Sequence, residues 1–259
     1  MDILDGFRID EKVAIVPGGG GAIGSAIAAT LAAAGARVTV VGRTKDTLEQ
    51  AADKVRDTGS EALTVVGDMT TEADADRCVA ETLDAFGRVD IIVNNAAAPY
   101  GSDRVAVVDM DADVFKTVID VKVLGTFYAC RAAVKQMIEQ GEGGRIINLS
   151  STMGKSGRAN TSAYNAANFA IDGFTQALAK EVGQHNITAN SVCPGTTETS
   201  RLDPVGRGDV WQGRLQSIPI SRAGTDDEVG ELIGFLCSPR AGYITGQSVN
   251  INGGSVTER

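Results

Sequence analysis

Read for its apolar and polar positions, the chain falls into short apolar runs separated by longer stretches of helical period. Residues 12–16 (KVAIV), 37–41 (RVTVV), 63–66, 90–94 (DIIVN), 145–149 (RIINL), 188–193 and 247–251 are rich in β-branched side chains, and most are apolar throughout. A strand that is apolar on both faces is covered on both faces, as in a parallel sheet. Between these runs lie alanine-rich segments 22–34, 45–57 and 72–86, and two longer ones, 112–139 and 162–183. Parallel strands need crossover connections. The order therefore predicts an α/β fold, a doubly wound Rossmann-type parallel sheet of about seven strands with helices on both faces. No repeat, linker or low-complexity segment divides residues 1–259, which read as a single domain. The long segment without a period is 196–225, and a loop of that length in a compact domain is expected to act as a substrate lid.

The first strand runs directly into Pro17-Gly18-Gly19-Gly20-Gly21-Ala22-Ile23-Gly24 and then a helical segment. Glycines here let the backbone turn tightly and approach a pyrophosphate, and the helix N-terminus adds free N–H groups with a partial positive charge. A plain strand-to-helix turn gains nothing from four consecutive glycines, which lower local stability. The second strand ends Val41-Gly42-Arg43-Thr44. An NAD enzyme places an acid at this point to hold the ribose 2′-hydroxyl. With Gly42 there instead, a 2′-phosphate meets no repulsion and Arg43 can form charge-assisted bonds with it, so the expected cofactor is NADP(H).

Composition narrows the function classes. A net charge of −9 excludes a typical nucleic-acid binder, which needs a basic face. The four cysteines form no CxxC pair and there is one histidine, His185, so no Cys/His metal site is expected; free thiols of a reducing compartment are the simpler reading. The first twelve residues, MDILDGFRIDEK, lack the basic start and apolar core of a signal peptide. No run approaches the roughly 20 apolar residues of a membrane helix, and the expected location is the cytoplasm. No G-x-S-x-G elbow is present, which disfavours a hydrolase.

Together these motifs resemble the short-chain dehydrogenase/reductase family over almost the whole chain. PGGGGAIG is similar to the family's TGxxxGxG stretch, with Pro17 for Thr and Ala22 for Gly. Asp68 in GDMT matches the acid that contacts adenine, and Asn94-Asn95-Ala96-Ala97 matches NNAG. Pro194-Gly195 followed by Thr199 matches the PGxxxT segment that holds the carboxamide. The resemblance implies cofactor contacts at Gly18, Gly20, Gly21, Ile23, Gly24 and Arg43, at Asp68, Met69, Asn95 and Ala96, and at Lys122, Tyr164, Pro194, Gly195, Thr197 and Thr199.

Hydride transfer to a ketone needs a proton donor and a second group to hold the oxygen; a tyrosine can donate when a nearby cation stabilises the phenolate. Ser151, ending the fifth strand, and Tyr164, early on the next helix, match the family's pair. The family's YxxxK motif departs here to Tyr164-Asn165-Ala166-Ala167-Asn168, while Lys122 stands where the family has asparagine. The two residues read as exchanged, similar to ketoreductase domains of modular polyketide synthases. Lys122 also lies on an apolar helical stripe with Phe115, Val118, Gly125, Ala129 and Ala132, where a charge is costly unless it serves a purpose. The leading expectation is an NADPH-dependent ketoreductase acting on a small carbonyl or alcohol, with Ser151, Tyr164, Lys122 and Asn168 as its catalytic set. The rival is a catalytically silent dinucleotide-binding sensor or scaffold. Candidate substrate contacts are Ala98, Pro99, Tyr100, Thr152 and Met153 with Arg201, Leu202, Arg207, Trp211 and Arg214 of the lid. These arginines read equally as acceptors of an acidic substrate or as a solvated loop face. A homodimer or homotetramer is expected through the helices 112–139 and 162–183, which pair across a dimer face in this family.

Overall fold

The computed structural model describes residues 3–98, 101–199 and 206–257. Seven parallel strands form one sheet: β1 (Val13–Pro17), β2 (Arg37–Gly42), β3 (Ala62–Val66), β4 (Ile91–Asn94), β5 (Gly144–Leu149), β6 (Ile187–Pro194) and β7 (Ser248–Ile251), in the order β3-β2-β1-β4-β5-β6-β7. Every boundary falls within a residue of the apolar runs, because the residues that end each run are those that leave the covered part of the sheet. β1 and β6 are buried along their whole length. The chain turns back between β3 and β4, so β1 pairs with both β2 and β4. This is a topological switch point, where loops diverge to either face and leave a crevice beyond the C-terminal strand ends.

Helices α1 (Ala22–Ala33), α2 (Lys45–Asp57) and α8 (Asp226–Cys237) cover one face, with Ile27, Leu31, Leu48, Val55 and Ile233 in its core. On the other face, α3 (Glu72–Phe86), α5 (Gly125–Gln140) and α6 (Ser162–Val182) contribute Val79, Ala133, Met137 and Val182. No described helix is long and apolar enough to cross a membrane. The four cysteines are free and buried. Burial pushes the thiols of Cys78, Cys130 and Cys237 up to about 12 and that of Cys193 to about 11.

Two elements differ from the sequence expectation. Segment 112–139 is not one regular helix: α4 (Ala112–Ile119) passes into a π-helical turn, Asp120–Leu124, before α5 begins. A π-turn leaves the apolar spacing of its flanks intact, so periodicity alone does not reveal it. Segment 196–225 is not a bare loop either. It carries α7 (Asp209–Gln216), and Thr196 and Glu198 are stitched by backbone hydrogen bonds to Gly224 at 3.0 and 2.8 Å. The helix escapes a periodicity search because it buries one side chain, Trp211. Arg201 and Leu202, like Pro99 and Tyr100, lie outside the described residues.

Candidate active site

A cavity of about 970 Å³ opens at the C-terminal ends of the strands, and its walls come from nearly every loop on that side. At the β1–α1 turn, Gly18 has φ +76°, and a side chain there would meet the Ala96 nitrogen at 2.7 Å. Gly24 does not line the cavity: it lies against the Gly18 carbonyl inside the turn, and lets α1 pack that close. Asn95 Nδ2 donates to the same carbonyl at 3.0 Å and ties the β4 loop to the turn. The N-cap of α1 is Gly21, with no side-chain cap, so the first N–H groups of the helix are left for a ligand. Gly18, Gly20, Gly21, Ala22 and Ile23 all line the cavity. A cradle without side chains at an uncapped helix N-terminus fits a pyrophosphate.

The two ends of the cavity differ in chemistry. Gly42, Arg43, Thr44, Thr47, Asp68 and Met69 line one end. Asp68 is held there by two backbone bonds: its carboxylate accepts from the Thr70 N–H at 3.0 Å, and its own N–H donates to Asp74 at 2.7 Å. Pro194 at the end of β6, with Gly195, Thr196, Thr197 and Thr199 after it, lines the other part with Ala96 and Ala97.

Ser151, Tyr164 and Lys122 all line this cavity. Ser151 follows β5, and its Oγ accepts from the Met153 N–H at 3.2 Å. Tyr164 stands in the first turn of α6. The loop between them is clamped by Asn165, whose Nδ2 donates to the carbonyls of Met153 (2.7 Å) and Ser156 (2.9 Å) while its Oδ1 accepts from the Thr161 hydroxyl. Lys122 lies at the centre of the π-turn and is only 6% exposed, yet it reaches the cavity wall. Asn168 does not. It is fully buried, its Nδ2 donates to the Tyr164 carbonyl at 2.8 Å, and its own carbonyl accepts from Ser150 Oγ at 3.2 Å. One helical turn beyond Tyr164, it faces the protein interior and braces the tyrosine's turn from behind.

The lid residues separate in the same way. Arg214 lines the cavity, whereas Trp211 is buried and Arg207 stacks on it 4.6 Å from the ring centroid while donating from Nε to Glu198 at 2.9 Å. Thr152 and Met153 line the wall and Ala98 does not. Two charged wall residues have no sequence signal: Arg104, whose guanidinium lies 4.1 Å from the Tyr164 ring centroid, and Arg158, in the turn before α6. Both sit in irregular loops whose path only the fold determines. Among the described residues, no group of three or more His, Cys, Asp or Glu is placed to hold a metal ion.

A family model described as enoyl-(acyl carrier protein) reductase matches residues 20–256. The chain belongs to the short-chain dehydrogenase/reductase family. Among relatives of this short-chain dehydrogenase/reductase, the 3-oxoacyl-[acyl-carrier-protein] reductase of a Synechocystis species is 34% identical over 250 residues, covering 96% of this chain and 98% of that protein. The sorbitol dehydrogenase of Cereibacter sphaeroides is 32% identical, covering 96% and 99%. A solved 7α-hydroxysteroid dehydrogenase, complexed with NADH and 7-oxo glycochenodeoxycholic acid, superimposes with a TM-score of 0.93 at 31% identity, covering 100% and 99%. The protein is therefore an oxidoreductase, and a nicotinamide dinucleotide, NAD(H) or NADP(H), is the family's cofactor.

Proposed function

We propose that this short-chain dehydrogenase/reductase, acting as one unit over residues 1–259, is an NADP(H)-dependent ketoreductase that interconverts a ketone and its secondary alcohol. The observation that carries this reading is the meeting of Ser151, Tyr164 and Lys122 on one cavity wall beside an uncapped, glycine-lined helix N-terminus. The relatives named for 3-oxoacyl reduction and sorbitol oxidation act in keeping with it.

A nicotinamide held in this cavity would supply or accept the hydride. Tyr164 gives its hydroxyl proton to the carbonyl oxygen, and Ser151 Oγ donates to the same oxygen and holds it for transfer. The Lys122 ammonium stabilises the phenolate that remains, from the helix opposite the one where the family's motif carries its lysine. A four-carbon stem spans that difference. Asn168 is a positioning residue, acting through the Tyr164 backbone. Gly18, Gly20, Gly21 and Ile23 would take the pyrophosphate, Asp68 and Met69 the adenine at the far end, and Thr197 and Thr199 the carboxamide beside the reacting groups.

The steroid dehydrogenase holds NADH; here the choice of cofactor turns on Gly42 and Arg43, which suit a 2′-phosphate. The four buried, free thiols suit the cytoplasm. Exposed Leu124 of the π-turn, Phe127 of α5 and Phe169 of α6 suit a homodimer or homotetramer joined through α5 and α6. The test is consumption of NADPH with a panel of ketones, followed by Lys122→Ala. Ketone-dependent oxidation that disappears in the variant supports the reading. Tight NADPH binding with no turnover of any ketone or alcohol would instead favour the silent cofactor-binding protein.

A further inference from the structure

The charge of the cavity runs against that of the molecule. In a chain with 33 acids and 24 bases, the described wall carries five cations, Arg43, Arg104, Lys122, Arg158 and Arg214, and one acid, Asp68. The proposed cofactor accounts for part of this. Arg43 and Asp68 belong to the end formed by the β2 and β3 loops, and Lys122 stands with Tyr164. Arg104, Arg158 and Arg214 are left. They come from three separate segments: the loop after β4, the turn before α6, and the last turn of α7. Arg104 is tied to the reacting end through the Tyr164 ring and the Met153 sulfur, and Arg158 and Arg214 line the same cavity.

Elsewhere the surface arginines are mostly neutralised by neighbours: Arg56 by Asp53, Arg77 by Asp74 and Glu81, Arg88 by Asp90, Arg222 by Glu228. Among the described residues, neither Arg158 nor Arg214 has a carboxylate within ion-pair distance. The lid makes the contrast within one segment. Arg207, which is not on the cavity wall, is paired with Glu198 and stacked on Trp211, while Arg214, seven residues later and on the wall, has no acid within ion-pair distance among the described residues. Arg104 is fixed by the Tyr164 ring and by Asp103, whose carboxylate lies 3.4 Å from its Nε. A low-dielectric cleft lined by one sign of charge concentrates the opposite charge, and guanidinium is the group that grips carboxylate or phosphate through paired N–H bonds.

We propose that the substrate of this site is an anionic ketone or alcohol, its carboxylate or phosphate held by Arg158 and Arg214 while its reacting oxygen meets Ser151 and Tyr164. Arg104, stacked on the Tyr164 ring, adds positive charge beside the reacting carbon. This rests on the ketoreductase reading of the same cavity.

The experiment compares pyruvate, acetoacetate and levulinate, each beside its methyl ester, as oxidants of NADPH, with cyclohexanone as a neutral reference. An acid should exceed its ester in kcat/KM by about 100-fold or more, the discrimination expected when a buried polar site loses its partner. In Arg158→Ala and Arg214→Ala that acid-to-ester ratio should fall at least tenfold, about what one charge-assisted contact is worth. Arg158→Lys should keep part of it. The ratio is taken within each variant, so partial unfolding does not mimic the effect. Esters or cyclohexanone turned over as well as the acids, or ratios unchanged in both variants, would overturn the proposal while leaving the ketoreductase reading intact. NADPH binding with no turnover of any of the seven compounds overturns both together, and is distinguished by the absence of neutral-ketone activity.

Discussion

At the scale of single residues, the outcome turns on where a charge is placed. Lys122 is buried in an apolar stripe yet reaches the cavity, and that combination has a kinetic signature. Lys122→Ala is expected to lower kcat about 10²- to 10⁴-fold, the usual worth of one group in proton transfer, with a far smaller change in the NADPH dissociation constant. Tyr164→Phe should be equally severe. Lys122→Asn with Asn168→Lys should recover part of what Lys122→Asn loses, since one ammonium beside the tyrosine is what the chemistry needs. Steady-state kinetics beside fluorescence titration of NADPH checks all of these. At the other end of the cavity, Arg43→Ala should reduce the preference for NADPH over NADH by about 10- to 100-fold, which corresponds to one charged hydrogen bond of about 1.5–3 kcal/mol. Dissociation constants for the two cofactors in both proteins measure it. That Ser151, Tyr164 and Lys122 line the cavity was legible, the first two from their type, order and spacing and the lysine from its place in an apolar stripe. Asn168 was legible as a residue but not as a side chain: nothing in the spacing says that its amide turns back to the Tyr164 carbonyl.

At the scale of elements, Asp90 shows how the sheet is fastened at the end away from the cavity. Its carboxylate, just before β4, accepts from the Val13 N–H of β1 at 3.0 Å, from Arg88 at 2.7 and 2.6 Å, and from Lys12 at 3.2 Å. Burial works to raise its pKa, but Arg88, the Val13 N–H and Lys12 together hold it below the ordinary carboxylate value. A folded-state pKa below the unfolded one means that the stabilisation is fully present above the unfolded value. It is lost as the pH falls through the folded one. Asp90→Asn should therefore destabilise the protein by about 1–3 kcal/mol at neutral pH. The gap from the unsubstituted protein should narrow below about pH 4, the ordinary aspartate value, which urea melts across that range would reveal. Strands were readable almost to the residue because a buried strand must be apolar. The break in 112–139 and the helix inside 196–225 were not, since one preserves its flanking pattern and the other buries little more than Trp211.

For the whole molecule, the sheet order, the switch point and the cavity follow from alternating strands and crossovers, and that much was visible in the chain. Of the arginines on the wall near the substrate only Arg214 was foreseen, because Arg104, Arg158 and Arg214 come from three segments spread over more than a hundred residues of chain. Assembly belongs to this scale as well. Leu124, Phe127 and Phe169 are each more than a third exposed, a pattern that association through α5 and α6 would cover. Light scattering at micromolar concentration should give a dimeric or tetrameric mass, and Phe169→Glu should shift it towards the monomer. A monomeric mass for the unsubstituted protein would contradict the assembly.

The π-helical turn at Asp120–Leu124 has a consequence for how this chain tolerates change in length. Such a turn accommodates one residue more than a regular helix would use, so the helices on either side keep their faces while the surplus is absorbed locally. Removing a single residue, such as Val123, leaves a continuous α-helix of the ordinary pitch. α4 and α5 keep their contacts, but the side chains inside the former bulge are redirected by up to about 100°, one residue's share of a helical turn. A deletion in the middle of a helix is ordinarily among the most damaging of changes. Here the fold should survive it, melting close to the parent, and the loss should fall on turnover, because the residue displaced is the lysine.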